Sequence, residues 1–481
     1  MSGKREFSLS NFVDSVMDVI SNGFSSIVNN IMEPDAENDK AVASRVSYKG
    51  YQLFRIHPLT QKHTNEITEV LDNYPDDIQF WTHPFGNKSI DIIVAPNVIQ
   101  DVKDYLKENK IEFKVLMPDL QRMINRQNPK VSKEQRDSFV STQGHPMSWK
   151  RYCRYGEIIK FLDHIKASHP SMVEIVTIGY SYEGLPLKVV KISTGLDKLK
   201  NTKPTVWIDA GMHAREWIGT AVATYIINQL VKKNSSHVKL LDTVDWMILP
   251  IVNPDGYEFT HTNDRLWRKT RSNYDDDSEE SSRYTPTGLF YFVYHHIKSL
   301  WSRCDGVDPN RNFDYHWGQN EKRRGGASSN PCHETYKGPY AFSEPETKAM
   351  ADYIMANRDK IKLYLTLHSY NQMWLVPWGH TYEKPADYAD LVSMAKKATK
   401  TISKVYGTKY KVGSSADLLY PTTGASDDWA KGVAGIKYSY TVELRDRGDY
   451  GFLLPAAQIL PTARETWAGI RAIARLVAAK T

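Results

Sequence analysis

The spacing of apolar positions changes period several times along the chain. At the amino terminus Leu9, Phe12, Val13, Val16, Ile20, Phe24, Ile27, Val28 and Ile31 recur at helical spacing, which predicts an amphipathic helix within residues 1–45. Lys4 and Arg5 precede it as in a signal peptide, but Asp14 and Asp18 fall where such a peptide needs an apolar core. Pro34 to Ala43 is polar and acidic and reads as a linker. Residues 46–118 then predict a small folded unit. Tyr51 to Ile56 alternates as a strand, and Thr64 to Asn73 carries Ile67, Val70 and Leu71 on one helical face. Ile78 to Trp81 and Ile90 to Val94 are strand-like around the turn Pro84-Phe85-Gly86-Asn87. Val98 to Glu108 predicts a second helix and Ile111 to Leu116 a last strand. The order βαββαβ suits an α+β open sandwich.

Residues 119–147 carry Arg122, Arg126, Lys130, Lys133 and Arg136 with almost no apolar cluster after Ile124. They predict an exposed connector open to a trypsin-like protease. From residue 148 to 481 strands and helices alternate. Strands are predicted at 173–178, 188–193, 205–210, 246–251, 362–367 and 437–443, and helices near 155–167, 217–232, 346–358, 388–405 and 461–478. This alternation predicts an α/β domain with a mixed, mostly parallel central sheet and helices on both faces. In such sheets the chemistry gathers at the carboxyl ends of strands.

Composition narrows the function classes. With 41% hydrophobic and 25% charged residues the chain is of ordinary globular type, not disordered, collagenous or coiled-coil. No apolar run is long enough for a membrane-spanning helix. The net charge of +6 is spread out, so clusters such as Lys322-Arg323-Arg324 read as solvated loop and not as a nucleic-acid surface. Three cysteines, Cys153, Cys304 and Cys332, permit one bridge and one free thiol.

The candidate chemistry begins at His213-Ala-Arg-Glu216, directly after the strand 205–210. Imidazole and carboxylate three residues apart can offer two ligands to one metal, and both suit zinc. The same spacing recurs at His63/Glu66 and His380/Glu383, so spacing alone decides nothing. A catalytic zinc needs a third protein ligand and an open position. His368 ends the strand 362–367 and is a candidate; read in isolation, it fits a buried structural histidine as well.

Six motifs occur in order: His213-Ala-Arg-Glu-Trp217, Asn253-Pro-Asp-Gly256, Arg265-Leu-Trp-Arg-Lys-Thr-Arg271, Val307-Asp-Pro-Asn-Arg-Asn312, His368-Ser-Tyr370 and Thr441-Val-Glu-Leu-Arg-Asp446. Together they resemble the pancreatic-type zinc carboxypeptidases, and residues 46–118 resemble that family's activation peptide. The resemblance implies one zinc held by His213, Glu216 and His368, with Asp308 orienting a zinc-bound histidine. It implies Glu443 as general base and proton shuttle, and Arg268 as stabiliser of the developing oxyanion. Arg311, preceded by Asn310, would grip the substrate's terminal carboxylate, Tyr420 matches the family's mobile tyrosine that closes over the substrate, and Arg265 and Arg445 would line the approach. A Cys304–Cys332 disulfide and a cis peptide at Ser369–Tyr370 also follow from the resemblance.

Specificity falls to Asp427, in Gly424-Ala-Ser-Asp-Asp-Trp429, where aspartate resembles the B type and an apolar residue the A type. The small residues Ser415, Ala416 and Gly379 leave room for a long basic side chain. Asp427 facing solvent or pairing internally is the competing reading, and Ala425 stands where the family usually has glycine. The implied protein is a secreted, monomeric precursor that removes carboxy-terminal Lys or Arg once a trypsin-like protease has cut it. An A-type preference and a catalytically silent binding homologue are the alternatives.

Two departures stand out. No signal peptide is evident in residues 1–45, and the stretch 274–301 is too long for the family, with acidic Tyr274 to Glu280 followed by aromatic Gly288 to Tyr294. Translated intron in a faulty gene model is favoured over a partner-binding insertion, and a wrong first exon explains the amino terminus in the same way.

Overall fold

Two sheets organise the chain. The computed structural model describes residues 45–72, 74, 77–82, 88–194, 196, 203–232, 240–273, 304–319 and 326–480. The expected amino-terminal helix, the linker 34–43, the turn 84–87 and the stretch 274–301 lie outside the described residues.

The first sheet contains β1 (Gln52–His57), β2 (Ile78–Phe80), β3 (Ile90–Val94) and β4 (Glu112–Met117), antiparallel in the order β2-β3-β1-β4. Alternation in β1 and β3 sends Phe54, Ile56, Ile90, Ile92 and Val94 into a core closed by helices α1 (Gln61–Asp72) and α2 (Ile99–Glu108). The opposite face carries Leu53, Arg55, Asp91 and Ile93. Leu53 and Ile93 cluster there with Leu266, Tyr370, Phe452 and Leu453 of the larger domain. Both faces of the small sheet are therefore covered, which explains why every residue of β3 is buried.

The connector is more ordered than its composition predicts. Helix α3 (Leu120–Gln127), capped by Asp119, buries Leu120, Ile124 and Gln127. Spacing of four and three residues puts these side chains on one helical face, against Leu266 and Phe452 in the case of Leu120 and Ile124. Residues 128–132 are non-helical, and α4 (Lys133–Gln143) follows with a Ser132/Gln135 capping box and no buried residue.

The second sheet has eight strands: β5 (Val173–Tyr180), β6 (Pro186–Ile192), β7 (Thr205–Ala210), β8 (Asp245–Leu249), β9 (Ile361–His368), β10 (Met373–Val376), β11 (Lys411–Ser414) and β12 (Tyr438–Glu443). Their order is β11-β10-β12-β9-β7-β8-β6-β5. The pairs β11/β10, β12/β9, β9/β7 and β7/β8 are parallel; the other three are antiparallel. Helices α5 (Tyr155–Ser168), α6 (Trp217–Val231), α9 (Tyr388–Tyr406) and α12 (Ile459–Ala478) share a core with one face. Helices α8 (Pro345–Asn357) and α11 (Ser426–Gly432) cover the other; α7 (Pro254–Thr262) adds Tyr257 to the first core, and the short α10 (Ser415–Leu418) follows β11. Helix α6 is apolar nearly all round and buried nearly all round. Strands β10 and β11 were not apparent from the sequence; four residues are too few for a recognisable period.

Candidate active site

The parallel neighbours β7 and β9 end side by side, Ala210 opposite Leu367. The chain leaving β7 turns at Gly211, whose φ of +65° a side chain would resist, and delivers His213 and Glu216 before α6 starts. His368 is the last residue of β9. Glu216 Oε1 lies 2.7 Å from His213 Nδ1, Glu216 Oε2 lies 3.0 Å from His368 Nδ1, and the two Nδ1 atoms are 3.1 Å apart. All three residues are buried, and their ligand atoms lie within 4.8 Å of one another, the only such group of three found among the described residues.

Two imidazole nitrogens and one carboxylate are a donor set that zinc favours, and the far side of each ring is already held as a ligand histidine requires. His213 Nε2 is 3.0 Å from Asp308 Oδ1, and His368 Nε2 is 3.1 Å from Thr366 Oγ1. Against the effect of burial, His213 and His368 hold the Glu216 carboxyl below the usual carboxylate range. Arg268, Arg311 and His213 do the same for fully buried Asp308. Arg268 Nη2 donates to Asp308 Oδ2 at 2.7 Å, which fixes the guanidinium beside the three ligands.

Asp308 also accepts from the backbone N–H of Asn310 at 2.9 Å. The short turn Pro309–Arg311 then places Arg311, whose Nη2 donates to Tyr420 Oη at 3.1 Å. Asn310 Oδ1 accepts from the Ser426 N–H at 2.9 Å and ties this turn to the start of α11. Glu443 ends β12 opposite His368 in register, half-buried at the cavity wall. Removal from water and the neighbouring Glu216 raise its carboxyl to about 8, although His368 opposes the shift.

Asp427 and Asp428 are adjacent and both buried, yet differ in partners. Asp428 accepts from the N–H groups of Gly379 and His380 at 2.9 and 3.0 Å and meets His380 Nδ1 at 2.8 Å. Asp427 Oδ2 has no hydrogen-bond partner, and burial, with Asp428 adding, pushes this carboxyl up to about 7. Thr441, on the face of β12 that carries Glu443, lies beside it and lines the same cavity. Ser415 lines this cavity too. The methyl of Ala425 is accommodated without strain at φ −83°, ψ 145°. The position that demands glycine is Gly424, where a Cβ would lie 2.2 Å from the Arg311 carbonyl oxygen.

The cavity, about 580 Å³, is lined by His213, Glu216, Arg268, Arg311, Asp427 and Glu443 from the large domain and by Arg55, Trp81, Lys88 and Asp91 from the small one. Arg55 grips Asp91 with bonds of 2.7 and 2.6 Å, and Tyr370 Oη donates to Asp91 Oδ2 at 3.1 Å. Trp81 packs against Phe452 with ring centroids 5.1 Å apart. Lys88 Nζ donates to the carbonyls of Leu418 and Leu419 at 2.9 and 2.7 Å, next to Tyr420. None of these small-domain residues was apparent from the sequence, because their significance depends on what they cover.

Two expected site residues lie elsewhere. Arg265 does not line the cavity: it is 2% exposed, stacked 3.7 Å from Trp217, and donates to Gln127 Oε1 at 2.8 Å and Phe452 O at 2.7 Å. Helix α3 covers it, a fact that motif position cannot convey. Arg445 is bound to Glu465, Gln458 and Thr408. The Cys304–Cys332 disulfide is present and Cys153 is free and buried. Ser369–Tyr370 is a cis peptide, as are Pro377–Trp378 and Arg445–Asp446.

Residues 158–469 match the family model described as zinc carboxypeptidase, and residues 54–127 match carboxypeptidase activation peptide. Carboxypeptidase B of Astacus astacus is 42% identical over 331 residues, covering 69% of this chain and 98% of the relative. Carboxypeptidase A2 of Mus musculus is 36% identical over 431 residues, covering 89% and 94%. Among solved structures, thrombin activatable fibrinolysis inhibitor superposes with a TM-score of 0.75 at 32% identity, covering 90% of this chain and 100% of that one. Carboxypeptidase A from Helicoverpa armigera gives 0.73 at 26% identity, covering 90% and 98%. A zinc-suited ligand triad at the ends of adjacent strands, covered by a matching activation peptide, thus agrees with every comparison, and the chain belongs to the zinc carboxypeptidases as a precursor.

Proposed function

We propose that the activated enzyme removes carboxy-terminal lysine or arginine from peptides and proteins. The observation that carries this reading is Asp427, 3% exposed, with one carboxylate oxygen unpartnered in the wall of the cavity. A buried carboxylate oxygen without a partner is costly, and a substrate ammonium or guanidinium supplies the missing one. Arg311 and Asn310 lie in the same cavity, where a guanidinium receives the substrate's terminal carboxylate and restricts attack to the last peptide bond.

Zinc on His213, Glu216 and His368 would supply Lewis-acid polarisation of the scissile carbonyl and acidify a water molecule. Glu443, at the cavity wall opposite His368, takes the proton of the attacking water and returns it to the departing amide nitrogen. Arg268, locked by Asp308, presents its remaining N–H groups to the oxygen that gains charge. Asp308 holds His213 in the tautomer that leaves Nδ1 free. Arg311 donates to Tyr420, and the substrate carboxylate takes over this partnership as Tyr420 closes over the substrate.

We place the activating cut at Lys130–Val131. Arg122 and Arg126 lie within α3, and Lys133 and Arg136 within α4, whereas Lys130 is exposed in the non-helical stretch between them. A protease needs an accessible, extended segment. Extracellular action is part of the proposal, supported by the disulfide. The test is kcat/KM of the trypsin-treated protein on matched peptides ending in Arg and in Phe. A clear preference for Arg supports the reading, equal rates place the enzyme outside the B type, and a zinc-loaded protein inert on both identifies a silent homologue.

A further inference from the structure

The two candidate ligand histidines are supported differently. His213 is backed directly by a carboxylate, Asp308. His368 is backed by a hydroxyl, Thr366 Oγ1, at 3.1 Å. If Nδ1 of His368 faces the metal position, its proton sits on Nε2 and is donated to Thr366. A hydroxyl that accepts this bond still has its own proton to place, and in a dry interior it needs an acceptor. Thr366 is fully buried.

Register identifies the acceptor. In β9, Tyr364, Thr366 and His368 share one face of the sheet. The residue paired with Thr366 on the neighbouring parallel strand β7 is Asp209. Asp209 is itself fully buried. Its Oδ2 is taken by Trp207 Nε1 at 2.8 Å, while Oδ1 is shielded from solvent and has no hydrogen-bond partner. A buried acceptor lacking a donor therefore lies beside a buried hydroxyl that must donate. Tyr364, whose hydroxyl is also unpartnered, is the competing donor on the same face.

We propose that Asp209 is a positioning residue for the metal centre: it accepts the Thr366 hydroxyl proton and thereby holds Thr366 as the acceptor that fixes the tautomer and ring orientation of His368. The relay is Asp209 Oδ1, Thr366 Oγ1, His368 Nε2, with the metal position at Nδ1. It reproduces through a hydroxyl what Asp308 does for His213 directly, and partners of this kind change metal affinity by about 10–100-fold when removed. The proposal rests on His368 being a ligand.

The test uses the full-length zinc-loaded precursor and competition against a chromogenic chelator. His368→Ala is the reference: if it keeps its zinc, the ligand assignment fails and the proposal falls with it, whereas zinc loss there with wild-type retention in the relay variants overturns the relay alone. Thr366→Val, nearly isosteric, is expected to weaken zinc retention about 10–100-fold, Asp209→Asn to weaken it comparably, and Thr366→Ser to restore it. The double variant is expected to be no weaker than the single variants, since the relay is already broken. In the activated enzyme kcat falls while KM is unchanged, and thermal unfolding of the metal-free protein shows that Thr366→Val still folds. Wild-type zinc retention in either Thr366→Val or Asp209→Asn overturns the proposal, and so does an equal effect from Tyr364→Phe. If Asp209→Asn does not accumulate, Thr366→Val against Thr366→Ser decides alone, and equal retention in that pair overturns it.

Discussion

Replacing Asp427 tests the specificity reading most directly. Its Oδ2 lacks a hydrogen-bond partner, and burial raises the carboxyl to about 7. An arginine or lysine side chain supplies a charge-assisted partner worth about 1.5–3 kcal/mol, or roughly 10–150-fold in kcat/KM. Asp427→Ile removes that term and adds apolar wall, so activity on Arg ends is expected to fall by about that factor while activity on Phe ends rises. Zinc content stays unchanged, because Asp427 is not among the three ligands. The pH dependence has a definite sign. The carboxyl holds its proton up to about 7, so the preference for basic over apolar ends grows as pH rises through 7, and the isoleucine variant loses that slope. Stability runs the other way. Between about pH 4 and 7 the folded state binds more protons than the unfolded state, so folding weakens as pH rises. Asp427→Asn is therefore expected to raise Tm at pH 8 and to change it little at pH 4. The assay pairs peptides differing only in the last residue, across pH 5.5 to 8.5. A wild type indifferent to Arg and Phe, or an isoleucine variant that keeps its preference for Arg, refutes the reasoning.

Three further outcomes follow from the same geometry. His213→Ala is expected to abolish zinc binding and peptidase activity together while circular dichroism remains native, and retained zinc would remove His213 from the ligand set. Arg311→Ala is expected to lower kcat/KM roughly 10–150-fold on peptides with a free terminal carboxylate, whereas any residual cleavage of amidated peptides is unaffected; equal losses on both would show that Arg311 does not read the carboxylate. Limited trypsin treatment is expected to expose an amino terminus at Val131 and raise activity, and Lys130→Gln to delay both, as amino-terminal sequencing along the time course would show; a first cut inside α3 would contradict the placement of the loop.

What the sequence disclosed, and what it withheld, depended on how far each feature was local. Strand β1 is read from its alternation, β7 and α6 from the length of their apolar runs, and the pair His213/Glu216 from one short segment. His368 is 155 positions from His213, and only its strand-end position hinted at the meeting. The identical spacings His63/Glu66 and His380/Glu383 show the limit of pattern, since neither pair belongs to the metal-capable group and His380 Nδ1 faces Asp428. Arg265 shows another limit: motif position does not reveal that α3 lies on top of it. The Asp427-Asp428 pair is the sharpest case. Side chains at successive positions of α11 point about 100° apart, so one carboxylate turns inward to two backbone N–H groups and His380 while the other faces the cavity. Identical side chains thus meet different surroundings: Asp428 holds the Gly379–His380 backbone in place, while Asp427 Oδ2 has no hydrogen-bond partner and is the acceptor that the proposed specificity assigns to a basic substrate side chain.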